Sequence, residues 1–506
     1  MVSSRRQLLA GTTVLLGGLA IGCGRATEEP VGSEIDEFVA LFEGYGAAEV
    51  IDPGMVSLFI DEARAKTMYD GLFELDDTMQ PVPRLAQSAE PNADGTRWRL
   101  RLRDARWHDG GRLTSTDVLY TLARVLGPAR AQGFTAASNL AMVDLRQSRE
   151  IDRRTVEIAC TAPSFEFPTA LCSYGTRIVP DGSRDFDRPV GTGPFRFESF
   201  DPGQQLTVNA YQDYWDGAPS IRRLRLLSAD SEARTSALRS GQADFIDEVP
   251  AAATSVLKQD SQLAVNMIPN NGAMYFAMKT DRPPFDDPDV RRAMMHLADR
   301  PELVRIALQG KGDVANDVFG KGYQHYADLP RHDYDPDRAR HLLDRAGARD
   351  LRFDLQVAPV APGVMEAANL FSEQARKVGV RAKVRLASRD TYYARASRIG
   401  PMTMGQSGPL PVPNHFGGRL VGDSSKNVTR WHDEQFDRLY TDAMATASLR
   451  RRSKLYHRMH EILHNRGGYL FWAHPYRTNA ARAEYRAIPT GVANSLHWAR
   501  FDKVTR

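Results

Sequence analysis

Between Leu351 and Leu386 the chain reads as strand, helix, strand, and no other stretch constrains the fold as much. Leu351 to Val357 is a strand, Gly363 to Val378 a helix ended by Gly379, and Val380 to Leu386 a second strand. Two strands joined through a helix cannot form a hairpin. They make a crossover unit, a parallel pair with the helix packed on it. Another helix, Asp335 to Ala346, precedes the unit and ends at Gly347, so the second half of the chain is α/β.

The first half has a different texture. Arg97 to Arg103 alternates strictly, with Trp98, Leu100 and Leu102 on one face and four arginines on the other, as in a half-buried strand. Asp94-Gly95 supplies the turn before it. Leu113 to Leu126 reads as a helix that Thr114 caps with Asp117. A hairpin turns at Asp201-Pro202-Gly203, and a helix over Ser231 to Ser240 stops at Gly241. Glu34 to Gly46 reads as a short amphipathic run. Pro401 to Gly422 reads as a long Pro/Gly-rich loop, and long loops in compact lobes are usually functional.

At 506 residues the chain exceeds what one core supports, so two or three lobes are expected. Its formal net charge is +3, and removing residues 1–22, which carry Arg5 and Arg6, leaves +1. That balance gives no reason to invoke nucleic acid. Ser4-Arg5-Arg6-Gln7-Leu8-Leu9 is a twin-arginine export signal leading into an apolar run that ends at Ala20-Ile21-Gly22-Cys23. It resembles a bacterial lipoprotein signal, with cleavage and lipidation at Cys23 and the body of the chain held outside the cytoplasmic membrane. Cys160 and Cys172 remain, either as a disulfide or as two buried thiols.

Several segments then occur in a characteristic order: Tyr69-Asp70-Gly71-Leu72-Phe73, Trp107-His108-Asp109-Gly110, Gly191-Thr192-Gly193-Pro194-Phe195, Tyr214-Trp215, Leu238-Arg239-Ser240-Gly241, Pro284-Phe285-Asp286-Asp287 and Tyr334-Asp335-Pro336. As a set they resemble the family 5 extracellular solute-binding proteins, the oligopeptide and dipeptide receptors of ABC importers. The resemblance implies a periplasmic-binding-protein-like α/β fold, bilobal with an extra inserted lobe and a hinged cleft. Residues 1–22 would be the signal peptide and 23–68 the tether and start of lobe I. Lobe II would span 69–191, lobe I would continue over 192–268 and 476–506, and lobe III would span 269–475. The resemblance further implies a monomer without cofactor, partnered by a peptide or peptide-like solute and by permease subunits.

One departure bears on the ligand. Peptide-binding members usually carry a Trp in the loop that follows Gly405, and three residues later an Asp that pairs with the peptide's α-ammonium. Here Gln406 and Pro409 stand at those places. A buried ammonium needs a charged partner, and Pro409 cannot be one. Asp423 is a conceivable stand-in. The neutral groups of Gln406, Ser407, Asn414 and His415 suit an N-blocked or modified peptide, an oligosaccharide or a metal chelate. So do Asn270, Asn271 and Tyr275, placed at the junction of lobes I and III.

An enzyme reading rests on His460-Glu461-Ile462-Leu463-His464, the pattern in which two histidines hold zinc and a glutamate is the general base. Glu484 lies where a third ligand could be sought. Against it, Leu455, Met459, Ile462 and Leu463 form an apolar stripe, with His457, His460 and His464 expected on the opposite, polar face. A receptor without a catalytic or metal site is the expectation.

Overall fold

The computed structural model describes residues 34–506, apart from residues 45, 47–48, 57, 128–133, 390, 394, 396–397, 423 and 425. The export signal, Cys23 and Asp423 therefore lie outside the described residues. No described helix is long and apolar enough to cross a membrane.

Three sheets organise the chain. A seven-stranded sheet runs, edge to edge, Leu263–Ile268, Arg477–Arg482, Phe245–Ile246, Ile35–Phe42, Ile221–Ser228, Gln205–Ala210 and Phe195–Asp201. A six-stranded sheet runs Gly312–Val314, Tyr469–Pro475, Ala273–Met278, Met402–Ser407, Arg352–Val357 and Arg381–Leu386. A four-stranded sheet of Ala86–Pro91, Arg97–Leu102, Thr155–Cys160 and Val143–Asp152 is inserted between the first and second strands of the larger one in chain order. Each packs on its own apolar cluster. Two connections join the seven- and six-stranded sheets, Ile268 to Ala273 and Pro475 to Arg477.

The crossover unit is present: Arg352–Val357 and Arg381–Leu386 pair in parallel, with Val364–Arg376 between them in sequence. Trp98, Leu100 and Leu102 are buried and their arginine neighbours are not, as the alternation requires. The helix Ser115–Leu126 starts at Thr114, whose backbone N–H donates to the Asp117 carboxylate at 2.7 Å. The glycines of Gly191-Thr192-Gly193 are there for close approach: a Cβ on Gly191 would sit 1.8 Å from the Met68 carbonyl oxygen. His108 holds that turn. Its Nδ1 accepts the Gly191 N–H at 3.3 Å and its Nε2 donates to the Gly193 carbonyl at 2.9 Å. Burial pushes its pKa down to about 4, so the ring works as a neutral strut.

Three expectations are corrected, and one open alternative, the state of Cys160 and Cys172, is decided. Glu34 to Gly46 contains a fully paired strand, Ile35–Phe42, because its apolar residues face the core of a sheet they enter in parallel. The stretch from Pro401 to Gly422 is mostly regular: Met402–Ser407 lies inside the six-stranded sheet and Val412–Arg419 is a helix. Met402 and Met404 are buried there, and Pro413 sits in the first turn, where a missing N–H costs nothing. Cys160 and Cys172 are both free thiols, and Cys172 donates to the Pro168 carbonyl within its own turn. His460 is fully buried rather than on a polar face.

Candidate functional site: the crevice between two sheets

A crevice opens beside the two connections, lined by Glu248, Val249 and Ala251 from one side and Met274, Leu308, Lys311 and Gln406 from the other. The connections supply Asn271, Tyr476 and Arg477 to its wall. Arg477 is the organising cation. It opens the strand Arg477–Arg482 and forms a two-pronged pair with Asp247, at 2.9 and 2.5 Å, with Glu248 at 3.7 Å. Burial opposes its charge, and the two carboxylates outweigh burial and raise its pKa. The guanidinium also lies over the Phe59 ring, 4.5 Å from its centroid. Lys311 reaches across to donate to the Ala251 carbonyl. Two cations, Lys311 and Arg477, and the partly exposed carboxylate of Glu248 thus line the crevice, with Asp247 buried behind Arg477. Glu248 also adopts a left-handed φ of 56°, a conformation that costs a non-glycine residue about 1 kcal/mol or more.

The segment 408–411, which joins the strand Met402–Ser407 to the helix Val412–Arg419, faces the seven-stranded sheet's side. The Pro409 carbonyl accepts the Asn494 amide at 2.8 Å, and Tyr174 in turn donates to Asn494. Gly408 lies against Phe59. Further out, Asn414 reaches the Ser173 hydroxyl at 3.5 Å. No carboxylate enters this part of the seam among the described residues' hydrogen bonds with 408–414.

The residues singled out from sequence divide in two. Asn271 and Gln406 share the crevice wall, although the Asn271 side chain is engaged by the Ala493 N–H at 3.1 Å. Asn414 faces the seam. Asn270, with φ 56°, sits in the connection itself, and its Oδ1 is buried without a hydrogen-bond partner among the described residues. The others are structural. Ser407 is fully buried and its hydroxyl donates to the Gly408 carbonyl. Tyr275 lies in a central strand against Tyr469 and Phe471. His415 stacks on Phe319 at 3.8 Å, and burial pushes its pKa well below the ordinary value. Residue type suggested ligand contact, but the strand and helix register turned these side chains inward. Glu248, Lys311, Phe59, Tyr174, Asn494 and Arg477 were missed, since each comes from a segment distant in sequence.

The HExxH helix, Leu449–Arg466, holds no catalytic centre. His460 has both ring nitrogens 3.1 Å from backbone carbonyls, those of Tyr456 and Phe319, and burial lowers its pKa to about 3. Glu461 pairs with Arg458 at 2.5 Å on the surface, and Glu484 pairs with Arg506 at 2.8 Å elsewhere.

Residues 80–427 match the family model of bacterial extracellular solute-binding proteins, family 5 Middle. The chain belongs to this family, whose members are substrate-binding receptors working outside the cytoplasm and not enzymes. Among curated relatives it is 26% identical over 451 residues to heme-binding protein A of Haemophilus influenzae, covering 81% of this chain and 82% of that protein. It is 24% identical over 476 residues to the dipeptide-binding protein of Escherichia coli, covering 86% and 89%. The fold is shared with a Helicobacter pylori periplasmic binding protein solved with the peptide STSA, at TM-score 0.80 and 19% identity, over 94% of this chain and 98% of that one.

Proposed function

We propose that this protein is a lipid-anchored receptor that captures a peptide or peptide-like solute at the seam beside the Arg477 crevice and delivers it to an ABC importer. Family membership supports the receptor role. The twin-arginine segment and Cys23 support export followed by anchoring. The lobes would divide as the resemblance implies, lobe II being residues 69–191 and lobe III 269–475. The observation that carries the ligand reading is the neutral 408–414 segment, which meets the opposite wall through amide and hydroxyl groups alone. Such a wall suits peptide-bond donors and acceptors and has no fixed charge for a terminal ammonium. Phe59 and Arg477 provide an aromatic and guanidinium floor for apolar side chains.

The test is ligand identification by mass spectrometry on protein purified without denaturation, followed by calorimetry with the compound found. A peptide or acylated peptide that rebinds supports the reading. A heme-like macrocycle or a sugar as the sole ligand would overturn it in favour of a non-peptide solute. That second reading draws on the heme-binding relative, which is as similar as the peptide-binding ones.

A further inference from the structure

The histidines of the HExxH helix do not serve one another, and His464 turns instead to a different pair of residues. We propose that Asp317, His332 and His464 bind one divalent transition ion of the zinc, nickel or copper class, at a site separate from the solute crevice. One ligand atom from each lies within 4.8 Å of the other two. Asp317 and His332 come from the long connection between Gly312–Val314 and the helix Pro336–Arg345, and His464 from the last turn of Leu449–Arg466.

Three observations point to a missing partner. Asp317 is almost wholly buried, and its Oδ2 is occupied by Arg300 at 2.6 Å and His332 Nδ1 at 2.8 Å. Its Oδ1 is buried with no hydrogen-bond partner among the described residues, a state that buried carboxylate oxygens rarely keep. His464 Nε2 lies 2.9 Å from the Pro330 carbonyl, which only accepts, so Nε2 carries the proton and Nδ1 the lone pair. That is how a backbone carbonyl orients a metal-binding imidazole. The His332 and His464 rings lie side by side, with centroids 4.3 Å apart, and both are only partly buried, which leaves a path for an ion and its waters.

Two imidazoles and one carboxylate favour zinc, nickel or copper over magnesium or calcium. Bonds of about 2.0–2.2 Å place neighbouring ligands of a tetrahedral ion about 3.3–3.5 Å apart, so closing the present spacing takes side-chain shifts of about an ångström. Arg300 sets the limit. Its guanidinium remains beside Asp317 and repels the ion, so binding is expected to be weaker than at a site without a neighbouring cation.

Calorimetry on chelator-stripped protein, titrated with zinc chloride and no solute, tests the site. One equivalent per chain is expected. His332→Gln and His464→Gln should each weaken binding at least tenfold, and His457→Gln, on the exposed face of the same helix, should change nothing. Absence of binding, or binding that survives the double substitution, overturns the proposal. Should the variants misfold by circular dichroism, cobalt(II) added to the unaltered protein decides: the visible bands of a low-coordinate nitrogen and oxygen site support it, and the spectrum of the hydrated ion alone sinks it.

Discussion

Two junctions in this protein are built from opposite chemistry. Where the inserted four-stranded unit meets the seven-stranded sheet, the contact is a dense buried ionic network. Arg177 bridges Glu62 and Glu74, Lys66 lies 3.7 Å from Glu74, and Arg84 pairs with Asp216 at 3.1 Å. Nearby, Asp70 of the Tyr-Asp-Gly motif accepts from Tyr214, Trp215 and Thr192. The seam against the six-stranded sheet is sparser and mostly neutral, made of Asn494 with Pro409, Asn414 with Ser173 and Gln324 with Gln80. Buried among these, Glu166 pairs with Arg452 at 2.6 Å and lies 3.3 Å from His325 Nε2, while Glu43 and Arg389 pair nearer the surface. A charge network with every member needed resists partial opening, because each unpaired charge would be stranded. A seam of single neutral hydrogen bonds exchanges them for water at little net cost. The first junction therefore acts as one rigid body, and the second is where a hinge on two connections can work.

The largest effect should come from breaking the rigid junction. Arg177→Met leaves two buried carboxylates without their shared partner, with Lys66 at 3.7 Å from one of them. A loss of about 3–5 kcal/mol in unfolding free energy is expected, measured by urea denaturation. A loss below 1 kcal/mol would mean that the network is dispensable and the contrast between junctions false.

The same junction has a pH signature. Burial lowers the Lys66 pKa to about 8, against the partial support of Glu74. Between about pH 8 and the unfolded value of 10.5 the unfolded chain binds the extra proton, so stability should rise with pH across that window and level off above it. The gain is roughly 1–3 kcal/mol, and Lys66→Met should flatten it. The slope persisting in that variant would assign it to another buried amine, such as Lys279, lowered to about 7 mainly by burial.

At the seam the Glu166 latch joins Arg452 and lies 3.3 Å from His325, a far smaller group than the Arg177 network, so its loss should move closure and not folding. Glu166→Gln leaves Arg452 with the Thr446 and Ala447 carbonyls at 2.7 and 3.3 Å. Solute affinity should fall about tenfold, equivalent to about 1.4 kcal/mol, with a larger radius of gyration by small-angle scattering at fixed solute concentration. Urea midpoints should match those of the unaltered protein. A shifted midpoint with unchanged affinity would make Glu166 a folding residue.

Local pattern made much of this architecture legible. The alternation at Arg97, the Thr114 and Asp117 cap and the strand–helix–strand spacing each depend on neighbours within a turn or two. The segment after Pro401 departs from its loop pattern because its Gly and Pro residues serve a strand and a helix start. Gly405 is there to admit the Tyr275 ring, to whose hydroxyl its Cβ would come within 2.9 Å, and Pro413 begins a helix. The site was less legible than the fold, for a physical reason. Its wall is assembled from Phe59, Glu248, Asn271, Gln406 and Arg477, and no local periodicity relates residues so far apart. His460 shows the same limit: the helical wheel placed it by its own helix, while the Phe319 carbonyl from another segment decided its burial.

The smallest expected effect concerns the peptide's amino terminus, and it tests the neutral character of the seam most directly. Pro409 offers a carbonyl, already engaged by Asn494, where peptide-binding relatives of this family usually place a carboxylate. An unmodified peptide should then gain little from its charge. Acetylating the N-terminus of a binding peptide should change affinity by less than about 1 kcal/mol, against the roughly 2–5 kcal/mol lost when one partner of a buried ion pair is removed. Calorimetry on one matched pair of compounds measures this. The competing arrangement uses Glu248, whose carboxylate is partly exposed at the crevice and held only loosely, 3.7 Å from Arg477. Its left-handed backbone fixes where that side chain can point. If the free-amine peptide binds a hundredfold better than its acetylated twin and Glu248→Gln erases the difference, the missing carboxylate has moved across the seam from the loop to the opposite wall. If the preference survives Glu248→Gln and is lost in Asp423→Asn, the stand-in lies on the loop's own side. A difference near zero in the unaltered protein leaves the seam neutral, and then the selectivity of this receptor must come from its amide groups and its aromatic floor.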